Sequence, residues 1–199
     1  METLQNSVLK YLQHIFYVKS FSKNTVKSYL SDYSDVFSIS ADFLRNGLEK
    51  NKEIMNLSAP LNEEHILAQV RNYFQKNQDL KASSKNRKLA SIKSFLNWAF
   101  ENKLLAKDLS NKIHMNKVPQ TLPRFLSVDE ILGIFSALNG AEQDGLAVGF
   151  DKLVIGLLYG CGLRVSELIG LKRSQIDFNR KVLVVLGKGK KERISAIPN

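Results

Sequence analysis

The chain has 199 residues, of which 44% are hydrophobic and 24% charged, a composition that argues against disorder and sets one or two domains as the expected size. Its 29 Lys and Arg against 19 Asp and Glu give a net charge of +10, which favours a polyanionic partner, either nucleic acid or an anionic membrane surface. A single cysteine, Cys161, excludes an internal disulfide framework and a Cys-based zinc site, and fits a reducing cytoplasm.

Residues 1–6 lack the basic start and apolar run of a secretory signal. The apolar pattern then predicts four amphipathic helices. Leu4, Val8, Leu12, Ile15 and Phe16 recur at helical spacing. A second helix starts near Asn24 and Thr25 and carries Val26, Tyr29, Leu30, Tyr33 and Phe37. A third follows Asn62, a good N-cap, with Glu63 and Glu64 at the positive end of its dipole; its stripe is Ile66, Val70, Tyr73 and Phe74. The fourth follows Ser83 or Ser84 and shows Leu89, Ile92, Leu96, Ala99 and Phe100. Four such helices predict a small bundle.

Glycine and tyrosine usage change near Pro119. One glycine, Gly47, precedes it and ten follow, whereas five of the six tyrosines precede it. Pro119 and Pro123 disfavour helix and push their predecessors toward extended geometry. The expected organisation is a helical domain over 1–117, a linker over 118–126 and a mixed domain over 127–199. In the mixed domain, Ser127 to Glu130 is a capping box opening a helix through Leu138. A second helix runs from Gly149 or Asp151 to Tyr159, where Gly160 and Gly162 break it, and a short third covers 165–171. Residues 182–186 read as a strand, 187–191 as a turn and 193–197 as a second extended run. Residues 153–163, the most apolar stretch, are too few to cross a bilayer, so no membrane association is expected.

Positive charge is concentrated between Lys81 and Lys117, where nine basic residues face two acidic ones. On the fourth helix Ser84, Arg87, Ser91 and Ser94 fall within an arc of roughly 80°. A guanidinium among small hydroxyls suits an approach to phosphates and base edges, with Lys85, Lys88 and Lys93 on its flanks as phosphate contacts. The same residues are equally an ordinary solvated face.

A second constellation lies in the mixed domain. Arg164 follows a glycine turn and opens a helix, which places a guanidinium beside backbone N–H groups that favour an anion. Glu167 is one turn on, on the same face, and is able to orient it. Lys188 sits between glycines in a tight hairpin and is a point charge able to deliver a proton to a leaving oxygen. The bland readings are a surface ion pair worth at most about 1 kcal/mol and a solvated loop lysine. Residues 187–191 lack the G-x-x-x-x-G-K-[ST] spacing and the following helix of a nucleotide-binding P-loop.

The run Gly160-Cys161-Gly162-Leu163-Arg164-Val165-Ser166-Glu167-Leu168, followed by Gly187-Lys188-Gly189-Lys190-Lys191-Glu192-Arg193, resembles the tyrosine recombinase (phage integrase) family, and within it the bacterial Xer-type enzymes. Asn24-Thr25-Val26-Lys27-Ser28-Tyr29 and Arg87-Lys88-Leu89-Ala90-Ser91-Ile92-Lys93-Ser94-Phe95 resemble its helical core-binding domain. The resemblance implies a mainly α fold with a small β-hairpin or sheet: an N-terminal four-helix, SAM-like core-binding domain, then part of an α+β catalytic domain. It implies site-specific breakage and rejoining of DNA through a 3′-phosphotyrosyl bond, with no cofactor or metal. Arg164 matches the catalytic arginine that binds the scissile phosphate, Glu167 the acidic residue supporting it, and Lys188 the hairpin general acid. Lys23, Lys27, Ser84, Lys85, Arg87, Lys88, Ser91, Lys93 and Ser94 are the expected DNA contacts.

The implied partners are a double-stranded recombination site and further recombinase protomers, as a homotetramer or as two related subunits, in a cytoplasmic, nucleoid-associated setting. Chromosome segregation and mobile-element integration both fit. The family's His-x-x-Arg motif and nucleophilic tyrosine are expected after the hairpin, yet His14, His65 and His114 precede Arg164 and no tyrosine follows Tyr159, itself expected in the core. The 199 residues are therefore expected to be an N-terminal portion that binds duplex DNA without cleaving it. The competing expectation is a naturally short, non-catalytic DNA-binding relative that occupies or regulates recombination sites.

Overall fold

The computed structural model describes residues 2–50, 60–118, 122–123, 125–140, 145–187 and 191–198. The chain divides into two compact units, Met1–Thr121 and Leu122–Asn199.

The first unit is helical. Helix α1 (Glu2–Gln13) runs on as a π-helical turn, His14–Val18, and is followed by α2 (Lys23–Phe37), α3 (Ala41–Glu49), α4 (Glu63–Lys76) and α5 (Ala82–Glu101), with a 3-10 turn at Ser110–Lys112. Side chains set several of the starts. The Ser22 hydroxyl accepts from Thr25 N–H at 3.2 Å, that of Ser40 from Phe43 N–H at 3.3 Å, and the Asn62 carbonyl oxygen from His65 N–H at 2.9 Å. Glu63 also reaches the segment beyond α5, where its carboxylate accepts from the N–H groups of Ala106 and Lys107.

The four expected helices are present, and α3 joins them. Its signal in the sequence is weak because it has nine residues and buries only Leu44 and Gly47. Gly47 lies against α1: a β-carbon there would stand 2.3 Å from Leu9 Cδ2, and Leu9 is fully buried. A residue that costs helix propensity is thus placed where two helices approach closely. The centre of the unit is aromatic, with Tyr33 stacked on Phe37 at 6.1 Å and Tyr11, Phe95 and Trp98 around them. Five rings supply apolar area and edge-to-face contacts together.

The second unit is mixed. Helices α6 (Val128–Gly140) and α7 (Gly145–Ile155) precede a π-helical turn, Gly156–Gly160, then the short α8 (Val165–Ile169) and a 3-10 turn at Arg173–Gln175. Strands β1 (Ile176–Asp177), β2 (Val182–Leu186) and β3 (Glu192–Ala196) form an antiparallel sheet in the order β1-β2-β3. Val184 pairs with Ile194 and Val185 with Arg193. On β2 the alternation sends Leu183 and Val185 inward, where they join Cys161 and Leu163 in a small core. Tyr159, expected in the core, is about half exposed on the π turn; its apolar neighbours pack, but the wider turn carries this ring outward. No helix among the described residues is long and apolar enough to cross a membrane.

Gly47→Val is expected to lower the unfolding free energy of the first unit by about 1–3 kcal/mol, because the added methyls overpack Leu9. Urea denaturation, with unchanged m-value, measures it.

Candidate functional site

Arg164 is the N-cap of α8, in extended conformation, and follows Gly162, whose φ of +61° turns the chain sharply. Leu163 on one side is buried, so the backbone is anchored while the Arg164 side chain remains 71% exposed. Glu167, three residues on, turns back. Its Oε2 accepts from the Arg164 backbone N–H at 2.8 Å, and its Oε1 accepts from Arg164 Nη1 at 2.8 Å. The Glu167 side chain is only 5% exposed. Sequence reasoning put these two residues together, and the structure brings them together.

A third group meets them. Arg193 Nη2, from β3, donates to Glu167 Oε2 at 2.7 Å and to the Gly162 carbonyl at 3.1 Å. Arg193 stood in the recognised motif without a role. The only trace in the sequence is that it shares a strand face with Ser195, two residues on, whose hydroxyl donates to the Cys161 carbonyl at 2.6 Å. The Arg164 backbone N–H above all, and then the guanidinium groups of Arg164 and Arg193, overcome the opposing effect of burial and hold the Glu167 carboxyl down at about 2, against an ordinary 4.5.

The loop expected to carry the general acid begins at this carboxylate. A β-carbon added at Gly187 would stand 3.9 Å from Glu167 Oε1, and Gly187 N–H donates to the Lys191 carbonyl at 2.8 Å, closing the loop's base. Lys188 is the next residue and itself lies outside the described residues.

The nine expected DNA contacts divide. Lys23 and Lys27 are exposed on the first turns of α2. Ser84 and Lys93 are half-buried on α5, and so is Lys85, whose Nζ donates to the Gln78 carbonyl at 2.7 Å. Arg87 is 50% exposed and paired to Asp32 at 2.6 Å. Lys88 and Ser91 are interior, which corrects their placement at the DNA surface. Lys88, 8% exposed, bonds Asp32 at 3.2 Å and Asp35 at 2.6 Å, and lies over the Tyr73 ring. Burial pulls its pKa down, but the bonds to Asp35 and Asp32 outweigh that and the net shift is upward. Ser91 donates to the Lys88 carbonyl, and its own carbonyl accepts from Tyr33 OH. Ser94 shares a 2.6 Å hydrogen bond with Tyr11 OH.

The physical reason is that α5 packs against both α1 and α2. The Ser94 hydroxyl meets the hydrogen-bonding need of Tyr11, while Tyr33 is met by the Ser91 backbone carbonyl. The side chain of Asp32 is fully buried, and a carboxylate within the packed side of α2 needs cations beside it. Among the described residues, no group of three or more His, Cys, Asp or Glu is placed to hold a metal ion.

Residues 124–199 match the phage integrase family. Over nearly its whole length the chain is similar to tyrosine recombinases. More particularly, it is 35% identical over 98% of its length to the tyrosine recombinase XerC of Myxococcus xanthus, of which it covers 59%. To XerC of Thermodesulfovibrio yellowstonii it is 29% identical over 98% of the chain and 58% of that protein. The chain therefore spans about three fifths of the length of these relatives.

Two solved structures share the fold. The XerH site-specific recombinase bound to its difH substrate, a pre-cleavage complex, has a TM-score of 0.56 at 16% identity, covering 96% of this chain and 62% of that one. The Tn1549 transposon integrase in complex with circular intermediate DNA has a TM-score of 0.53 at 18% identity, covering 96% and 61%.

Two outcomes are expected. Asp32→Ala leaves Lys88 with Asp35 alone and Arg87 without its partner, and lowers the unfolding free energy of the first unit by about 3 kcal/mol; denaturant titration reads it. The Glu167 carboxyl is lower in the folded state than in the unfolded one, so its contribution is complete above about pH 4.5 and is lost as pH falls toward 2. Glu167→Gln removes that acid dependence, and unfolding curves of the second unit across this range measure the change.

Proposed function

We propose that this chain serves site-specific recombination of duplex DNA by strand breakage and rejoining through a 3′-phosphotyrosyl bond. The observation that supports this reading is an exposed guanidinium at the start of α8, fixed by a shielded carboxylate beside the base of the Lys188 loop. Arg164 binds the scissile phosphate, and its outward donors stabilise the charge that accumulates on the phosphoryl oxygens. Glu167 holds it. A tyrosine oxygen attacks phosphorus, the bond from phosphorus to the 5′ oxygen breaks, and Lys188 gives that oxygen its proton. The phosphotyrosyl bond retains the energy for rejoining, so no nucleotide is consumed.

The attacking tyrosine is not among the six of this sequence. Five lie in the first unit, and Tyr159 precedes Arg164 on the π turn. These 199 residues bind DNA without cutting it. Lys23, Lys27, Ser84, Lys85, Arg87 and Lys93 supply the contacts of the first unit, with Lys88, Ser91 and Ser94 beneath them as support. The DNA held by XerH and by the Tn1549 integrase supports a duplex partner. Protomers assemble on that duplex, as a homotetramer or with a related subunit, in a cytoplasmic, nucleoid-associated setting, and serve chromosome segregation or the movement of a mobile element.

Fluorescence-anisotropy titration of the chain against a palindromic Xer-type site and a scrambled duplex, over a salt series, is the test. Affinity that falls with salt and favours the site is expected; no binding at low salt overturns the reading. A covalent adduct between these 199 residues and DNA overturns the non-cleaving part. In a cleavage-competent protein containing this segment, Arg164→Ala is expected to slow cleavage by about 10²–10³ with little loss of binding.

A further inference from the structure

We infer that Arg193 is a positioning residue of the Arg164 site: it locks Glu167 and the Gly162 turn to β3, and so fixes the direction of Arg164. The inference rests on the reading of Arg164 as a phosphate-binding residue. Arg193 makes two bonds from one nitrogen, to Glu167 Oε2 at 2.7 Å and to the Gly162 carbonyl at 3.1 Å. These acceptors lie on either side of Arg164 in the chain. One precedes it in the turn, the other follows it on α8, so a single guanidinium spans the residue that meets the phosphate.

Each partner is one that needs a donor. Glu167 is shielded from water and, once ionised, is an acceptor only. Its Oε1 is taken by Arg164 Nη1 and its Oε2 by the Arg164 N–H, and both belong to the residue being positioned. A carboxylate bonded to Arg164 alone would move with Arg164. Arg193 is the independent anchor, because it comes from a strand paired residue by residue with β2. Gly162 has a left-handed φ of +61°, and the direction in which Arg164 leaves the turn depends on that conformation. Binding the Gly162 carbonyl holds the peptide plane there.

A shift of β3 therefore moves the Glu167 anchor and the Gly162 turn as one body. Lysine is a poor replacement, since a flexible ammonium lacks the rigid planar donor set of a guanidinium. Ser195 supplies the internal comparison. It ties the same strand to the same turn, through the Cys161 carbonyl, but does not touch Glu167.

The test uses the full 199-residue chain with isotope-labelled arginine and follows the Arg164 Nε–Hε resonance by NMR as inorganic phosphate is added. Arg193→Gln is expected to weaken the phosphate response about tenfold, Arg193→Lys to recover part of it, and Ser195→Ala to change it by less than about twofold. Amide exchange at Leu183 and Val185 reports that each variant keeps its sheet. An unchanged response in Arg193→Gln overturns the positioning role. Equal losses in Arg193→Gln and Ser195→Ala overturn it too, because they would reflect general loosening of the strand. A phosphate response at the Arg193 Nε–Hε resonance that survives Arg164→Ala instead overturns the phosphate-site reading beneath it, and the acid titration of the Glu167 carboxyl then still separates the two: a midpoint that does not rise in Arg193→Gln refutes the anchor itself.

Discussion

In the second unit a buried carboxylate between two arginines sets the geometry of the site. Glu167 is nearly closed to water, and ionised oxygen in such a place is tolerable only when donors surround it. That requirement accounts for the local backbone. The Arg164 N–H is turned toward Glu167, which makes Arg164 an N-cap and begins α8 at Val165. It also accounts for the proximity of β3, because the third donor comes from Arg193. The Arg164 guanidinium is left with one nitrogen occupied and the remainder facing solvent, which is the state a phosphate-binding group must be in before its ligand arrives.

The first unit applies the same rule to a different end. Asp32 is fully buried, and Arg87 and Lys88 converge on it from α5. The two cations have separate fates. Lys88 becomes an internal strut, shared with Asp35 and laid over Tyr73, whereas Arg87 keeps half its surface outside. A count of positive charges along α5 thus overstates the charge available to a partner. The carboxylates of α2 decide which cations face outward, and they fix the orientation of the one that does.

The sequence disclosed a good deal of this fold through periodicity. Helices α1, α2, α4 and α5 carry apolar stripes long enough to stand out, and the β2–β3 hairpin carries β-branched residues around a glycine-rich turn. Helix α3 stayed hidden because it is short and one of the two residues it fully buries is a glycine, which has no side chain to leave a pattern. The pairing of Arg164 with Glu167 was legible because both lie within one helical turn. Arg193 was not, since its partners are 26 and 31 residues away and their meeting depends on strand register. Ser91 was misread for a related reason. A small polar residue on a helix looks solvated until the helix is seen packed, with its carbonyl receiving Tyr33 from α2.

The π-helical turn at Gly156–Gly160 bears on how this segment tolerates change in length. A π turn accommodates one residue more than the α-helix around it. Removing one residue there would let the turn revert to α geometry with the flanking residues near their present places, because the turn already absorbs the extra residue. Removing one from α7 instead would rotate everything beyond by roughly 100° and draw it back about 1.5 Å. Cys161 and Leu163, which now enter the small core with Leu183 and Val185, would be carried out of it, and the turn leading to Arg164 would leave its anchors on β3. A single-codon deletion within α7 is therefore a change of a different order from any substitution in the same helix, and the π turn is where this segment has slack.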